Sequence, residues 1–216
     1  TTVALTTGAA GISQNAAGII TAPTSLTVNL ASGGAAVLTA ATNNVGTLIG
    51  TGSGTISLNN STNNLALGTF GATQNVNVTA AGAITTTAVA SFGSLIANGS
   101  SFTQSATHDY TLSGITTVNT TGAISLGAAY SGGTATSFTS SAGNVSINTN
   151  GSLIGAGSKT LSAATAATGT VTLNGAITGP TVVLTAGAGG ISQDAAGTIT
   201  TPTSLTVNLA SGGAAV

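Results

Sequence analysis

"SLTVNLASGGAAV" occupies residues 25–37, and the same thirteen letters recur at 204–216. Read in twos, the first six letters alternate Leu, Val and Leu with Ser, Thr and Asn. This is the period of a strand with one face buried and one face wet. The Ser-Gly-Gly that follows supplies the backbone freedom of a turn. A verbatim echo of a strand-and-turn phrase is the signature of a repeating architecture.

The echo extends well beyond those thirteen residues. Val3–Val37 and Val182–Val216 align at an offset of 179 with 29 of 35 positions identical. The six differences are Ala4/Val183, Thr7/Ala186, Ala10/Gly189, Asn15/Asp194, Ile19/Thr198 and Ala22/Thr201. Residues 38–216 therefore read as one complete 179-residue unit, and residues 1–37 as the end of a preceding one. The expectation is a single continuous solenoid without separate domains.

Shorter echoes lie inside the unit. "GTLIGTGSGTIS" (46–57) and "GSLIGAGSKTLS" (151–162) share a frame that "GSLIANGS" (93–100) begins. The phrase V-x-x-x-G-A-I-[S/T] occurs at Val78–Thr85, Val118–Ser125 and Val171–Thr178. Two of these copies stand 40 residues apart, which suggests a coil of about 20 residues. Alternating runs such as "TISLN" (55–59), "NVNVT" (75–79), "NVSIN" (144–148) and "TVTLN" (170–174) supply the strands. The spacing is too irregular for a hexapeptide helix and points to an all-β, right-handed parallel β-helix.

Composition agrees and excludes much else. Charged residues make up 1% of the 216: one Lys, no Arg, two Asp and no Glu. An ordinary soluble domain carries about a quarter. With no basic patch, nucleic acid and anionic membranes are not expected as partners. No apolar run approaches the roughly 18 residues of a membrane span, so membrane insertion is not expected either. Cys is absent, which removes disulfides and thiolate chemistry. Charge scarcity suits stacked coils, because in-register stacking would set identical charges within about 5 Å of one another. Thr, Ser and Asn can instead hydrogen-bond along the stack.

"GTVTLNGAITGPTVVLTAGAGGISQDAAGTITTPTSLTVNLASGGAA" (169–215) resembles the repeat tracts of filamentous-haemagglutinin-like and autotransporter-like bacterial surface proteins. The phrases "TLNGAI", "LTAGAGGISQ" and "AGTITTPTSLTVN" carry the resemblance, together with their earlier copy at 5–30. It implies a right-handed β-helix forming an extracellular shaft at the bacterial cell surface. The family's secretion domain begins with Asn-Pro. Pro23, Pro180 and Pro202 follow Ala, Gly and Thr, so this segment is expected to be shaft.

Few residues invite chemistry. His108-Asp109-Tyr110 suggests a triad fragment, but adjacent strand residues point to opposite faces, and a loop or bulge is expected there. Glycoside cleavage needs a carboxyl pair, and Asp109 and Asp194 stand far apart. Asp194 is Asn15 in the other copy. Lys159 is expected on the surface. "GTGSG" (50–54) and "AGAGG" (186–190) lack the Lys-Ser/Thr ending of a phosphate loop and read as turns. Phe70, Phe92, Phe102, Phe138, Tyr110 and Tyr130 are too scattered for a sugar platform and are expected in the core or as coil caps, with Tyr130 a candidate for exposure. Asn59, Asn60, Asn77, Asn98, Asn119 and Asn144 satisfy N-x-S/T, a match that this much Ser and Thr produces by chance.

The sequence thus suggests a non-catalytic structural segment without metal or cofactor: an adhesin stalk, surface filament or biofilm matrix fibre. Such a segment is expected to self-associate end to end or laterally, and to reach host or neighbouring cells through a tip outside it. A glycan- or ice-binding solenoid is the alternative, with a β-helix polysaccharide-degrading enzyme behind it. Ice binding calls for Thr-x-Thr at every coil, whereas Thr134-Ala135-Thr136 and a few others recur without a fixed period. If the array is real, sequencing the parent gene beyond Val216 will find a phrase close to the "LTAATNNVGTLIG" that follows Val37; an unrelated continuation would contradict it.

Overall fold

In-register parallel pairing organises the whole chain. The structure, a computed structural model, describes residues 1–40, 42–61 and 63–216. Among them are 28 short strands and no helix, and every strand pairing is parallel. The strands stack into a solenoid of ten coils, about 21 residues per coil. At about 4.8 Å per strand the ten coils rise roughly 45 Å.

Two ten-stranded sheets form the walls. The first consists of Thr2–Thr7, Ser25–Leu30, Thr47–Gly52, Leu65–Leu67, Ala83–Thr86, Ser101–Gln104, Ile124–Leu126, Val145–Ile147, Thr170–Leu173 and Gly190–Gln193. The second consists of Ile12–Ser13, Ala35–Leu38, Gly54–Asn60, Gln74–Ala80, Ser94–Gly99, Thr116–Thr120, Thr136–Ser140, Lys159–Ser162, Thr181–Ala186 and Ser204–Leu209. A six-stranded third side runs through Ala90–Phe92, Tyr110–Leu112, Ala129–Gly132, Ser152–Ile154, Ala176–Thr178 and Thr198–Thr200. Near the start, Thr21–Ala22 and Asn44–Val45 form a separate two-stranded sheet.

Register converts alternation into core. In the second wall, Leu38, Leu58, Val78, Ala97, Val118, Phe138, Leu161 and Leu184 lie one above another, all buried. In the first wall, Leu65, Ile84, Phe102, Ile124, Val145, Val171 and Ile191 make the matching ladder. Each buried aliphatic contributes about 1.5–3 kcal/mol. That contribution needs a neighbour on both sides. Leu26, covered by the next coil at Leu48, is 0% exposed, whereas its repeat equivalent Leu205 in the last coil is 46% exposed.

Glycine permits the tightest corners. Gly11 and its copy Gly190 both take positive φ, 76° and 77°. A Cβ at either would run into the carbonyl oxygen of the next coil, Ala35 or Ala214. The repeated phrases mark such corners without choosing a side. "GTLIGTGSGTIS" turns from first wall to second, "GSLIGAGSKTLS" from third side to second wall, and "GSLIANGS" from second wall to first.

The cross-section changes part-way along. In the first two coils the chain passes from first wall to second wall to the two-stranded sheet. From Gln74 onward it passes from second wall to first wall to third side. The extra side has moved from one edge of the walls to the other.

Asn60 ends the old edge. Its side-chain amide, fully buried, accepts the Val45 N–H at 2.8 Å and donates to the Val45 carbonyl at 3.0 Å. It thereby imitates the peptide of a further strand and closes the small sheet. Phe70 opens the new edge and begins an aromatic column: centroids are 5.1 Å from Phe70 to Phe92, 5.3 Å on to Tyr110 and 6.0 Å on to Tyr130. Phe138 continues it at 5.1 Å and meets Phe102 of the opposite wall at 6.1 Å. The aromatics are core, as expected, but Tyr130 is fully buried and not exposed. Its ring sits between Tyr110 and Leu153 in the third-side ladder.

Two substitutions test this account by urea unfolding. Asn60→Leu leaves both Val45 groups without partners and is expected to cost about 2–4 kcal/mol. Phe138→Ala empties the junction of column and walls and is expected to cost about 3–5 kcal/mol.

Candidate functional site

Every group in the chain capable of acid–base chemistry can be located. His108 and Asp109 lie in the loop between Gln104 and Tyr110, matching the expectation of a loop. They serve different neighbours. His108 Nδ1 lies 3.0 Å from the Thr86 carbonyl and 3.2 Å from Thr86 Oγ1, while Asp109 Oδ1 accepts the Ala129 N–H at 3.0 Å. Both contacts tie the loop to the coils on either side. Asp194 Oδ1 accepts the N–H groups of Ala196 and Gly197, each at 2.8 Å. Asn15 makes the equivalent bond to Ala17 at 3.0 Å, so this turn needs an acceptor oxygen and not a charge. The two carboxylates are not brought together.

Lys159 departs from expectation. It is 0% exposed and takes an inward place in the second wall, between Thr136 and Val182. Its ammonium lies 3.4 Å from the Gly132 carbonyl and 3.5 Å from Thr136 Oγ1. The parity of its strand decides this: Leu161 must point inward, and two residues earlier the same face receives Lys159. A Cβ at Gly132 would strike Thr136 Oγ1, so this glycine makes room for the Thr136 hydroxyl that Lys159 contacts. Burial holds the Lys159 pKa below that of a free lysine.

Other polar groups are also buried, most of them hydrogen-bonded across coils, although Gln104 Oε1 is buried without a partner. Gln104 Nε2 donates to the carbonyls of His108 at 2.8 Å and Ala129 at 3.0 Å. Asn43 exchanges hydrogen bonds with Gln14 and caps the Ile20 N–H at 3.0 Å. Tyr130 Oη meets Thr116 Oγ1 at 3.1 Å, and Tyr110 Oη donates to the Leu67 carbonyl at 3.4 Å. Burial pushes both phenols above their ordinary pKa; the Tyr130 ring adds to the effect at Tyr110, and the Thr116 hydrogen bond opposes it at Tyr130.

A shallow groove of about 310 Å³ runs along the edge of the second wall. Asn98, Gly99, Asn119, Thr120, Thr121, Thr139 and Ser141 line it. Asn98, Asn119 and Thr139 stand in one outward column, and Asn119 Nδ2 donates to Asn98 Oδ1 at 3.1 Å. It contains no ionisable side chain, so it can offer hydrogen bonds but no proton transfer. Among the described residues no three His, Cys, Asp or Glu gather into a metal-binding group, and no helix is long and apolar enough to cross a membrane. "GTGSG" and "AGAGG" are corners, with positive φ at Gly52, Gly54 and Gly190. Asn60 is buried, so its sequon is closed off in the folded chain; the Thr62 that completes it lies outside the described residues.

Comparison of the chain with protein-family models, curated proteins and solved structures returned no match.

Titration of the buried groups makes stability depend on pH. Between the lowered Lys159 value and about 10.4 the folded chain holds fewer protons than the unfolded one, so stability rises with pH. Above about pH 10 the unfolded chain sheds tyrosine protons that Tyr110 and Tyr130 keep, so stability falls again. Melting midpoints followed by circular dichroism are expected to peak near pH 10. Lys159→Met should remove the rise and leave the alkaline fall.

Proposed function

We propose that this chain is a segment of a structural shaft: a non-catalytic, repetitive stretch of a secreted bacterial surface protein, serving as an adhesin stalk, surface filament or matrix fibre. The observation that carries the reading is the unbroken ten-coil stack in combination with the near-verbatim recurrence of residues 3–37. A solenoid that recurs along its own axis grows in one direction by adding coils, and its length is proportional to the number of units.

The surface supports the same reading. Outward positions of the second wall are Ser57, Asn77, Ile96, Thr117, Ser137, Thr160, Val183 and Thr206 in one column. Asn59, Thr79, Asn98, Asn119, Thr139, Ser162, Thr185 and Asn208 form the next. Neither column contains a charge, so copies can lie side by side without repulsion. Each ionisable side chain has a structural task within the stack, which argues against catalysis. The resemblance to bacterial surface repeats is what suggests the extracellular location, with any adhesive tip outside this segment.

The groove at Asn98, Asn119 and Thr139 favours a second reading, a face that holds glycan hydroxyls through amide and hydroxyl groups. Ice binding fits less well. Thr136 of Thr134-Ala135-Thr136 points into the core, and the two outward columns mix Ser, Asn, Ile and Val with Thr.

Negative-stain micrographs of a parent chain with several units are expected to show rods about 40 Å long per 179-residue unit. Compact particles whose length does not grow with unit number would contradict the shaft. Retention of polysaccharide by the wild-type 216-residue chain, lost in Asn119→Ala, would favour the glycan-binding face.

A further inference from the structure

The two copies of the repeated phrase occupy different walls. In the first copy, Thr2–Thr7 and Ser25–Leu30 are neighbours in the first wall; in the second, Thr181–Ala186 and Ser204–Leu209 are neighbours in the second wall. The local pairing is the same. Val3 pairs with Leu26 and Val182 with Leu205, and Ser25 Oγ meets Thr2 Oγ1 at 3.3 Å as Ser204 Oγ meets Thr181 Oγ1 at 3.4 Å. The corners agree too, since Ile12 pairs with Ala36 and Ile191 bridges Ala215. Each copy keeps its own geometry, and only the wall has changed.

Counting along the stack explains the exchange. Thr2–Thr7 is the first strand of the first wall, and Thr181–Ala186 is the ninth strand of the second. Eight coils separate them, plus the passage from one wall to the other. The passage is made where the extra side changes edge: Asn60 closes the two-stranded sheet, the chain returns at once to Leu65–Leu67, and Phe70 opens the new side. The long strands move with it. They run along the first wall as Thr2–Thr7, Ser25–Leu30 and Thr47–Gly52, then along the second from Gly54–Asn60 onward.

We infer that the 179-residue unit advances the solenoid by about eight and a half coils, so that successive units carry equivalent surfaces on opposite sides of the shaft. The broad Thr, Ser and Asn face is then presented to one side by one unit and to the other side by the next. Any side-on contact through that face recurs on the same side once every two units, roughly 80 Å apart at 4.8 Å per coil. The extension to a long array rests on the shaft reading; the half-coil advance is a property of the two copies in this chain.

Distances between spin labels test the advance directly, because the Cys-free chain accepts labels only where cysteines are introduced. Thr27 and Thr206 are equivalent residues of the two copies. Thr117 stands near the middle, four coils below Thr206 in the same outward column and about four and a half coils above Thr27. If the copies shared a wall, the pairs Thr27→Cys/Thr117→Cys and Thr117→Cys/Thr206→Cys would both read about 19 Å. On opposite walls, the second pair stays near 19 Å, and the first lengthens to roughly 30 Å because it also spans two sheets about 10 Å apart and both labels. Asn29, Asn119 and Asn208 repeat the design one column over and guard against a single disruptive label. Two equal distances in both sets would overturn the inference. That failure is distinct from failure of the shaft, which is read from the length of multi-unit rods.

Discussion

Parallel strands in register, each coil paired with the one before and the one after, are the constraint from which the rest of this molecule follows. The pairing sets every residue directly above its counterpart about 4.8 Å away. Side chains are therefore selected in columns. Inward columns are mostly aliphatic or aromatic, with Thr116, Thr136 and Lys159 a polar run in the second wall, and the two outward columns of that wall carry no charge. A composition of 1% charged residues agrees with this arrangement. So does the behaviour of "SLTVNL", whose apolar residues are buried only where a further coil covers them.

Columns also explain the buried polar groups. A solenoid of uneven coil length must start and stop sheets along its side, and each stop leaves peptide groups unpaired. Asn60 at Val45 and Asn43 at Ile20 supply side-chain amides at such places. An amide side chain presents the same donor and acceptor as a peptide. These residues trade part of the apolar core for freedom in where the sheets end. Lys159 is different: it contacts one carbonyl and one hydroxyl and replaces no peptide group.

Much of the architecture was legible in the sequence, because alternation, turn residues and recurrence are local. The strands at 25–30, 55–59, 75–79, 144–148 and 170–174 all lie where the alternation put them. What resisted reading was the assignment of phrases to sides. The phrase V-x-x-x-G-A-I rounds the corner from second wall to first at Val78 and Val118, but from first wall to third side at Val171. A phrase specifies a strand, a turn and a strand; which side receives them depends on every coil before. The same limit hid Lys159. Its neighbours "GSKT" read as a turn, and only the parity of the strand running to Leu161 turns it inward. The aromatics looked scattered because a column is separated by whole coils in sequence, although Phe70, Phe92, Tyr110 and Tyr130 recur at about that interval.

The junction between copies has a consequence for inheritance. If the unit recurs along a longer chain, as proposed, one that begins and ends within the same coil pattern can be gained or lost with no seam to repair. On the shaft reading and the half-coil advance inferred above, each such event would also swing everything beyond it to the other flank. Lineages differing by one unit would differ in the direction their distal portion faces, and lineages differing by two would differ in reach alone.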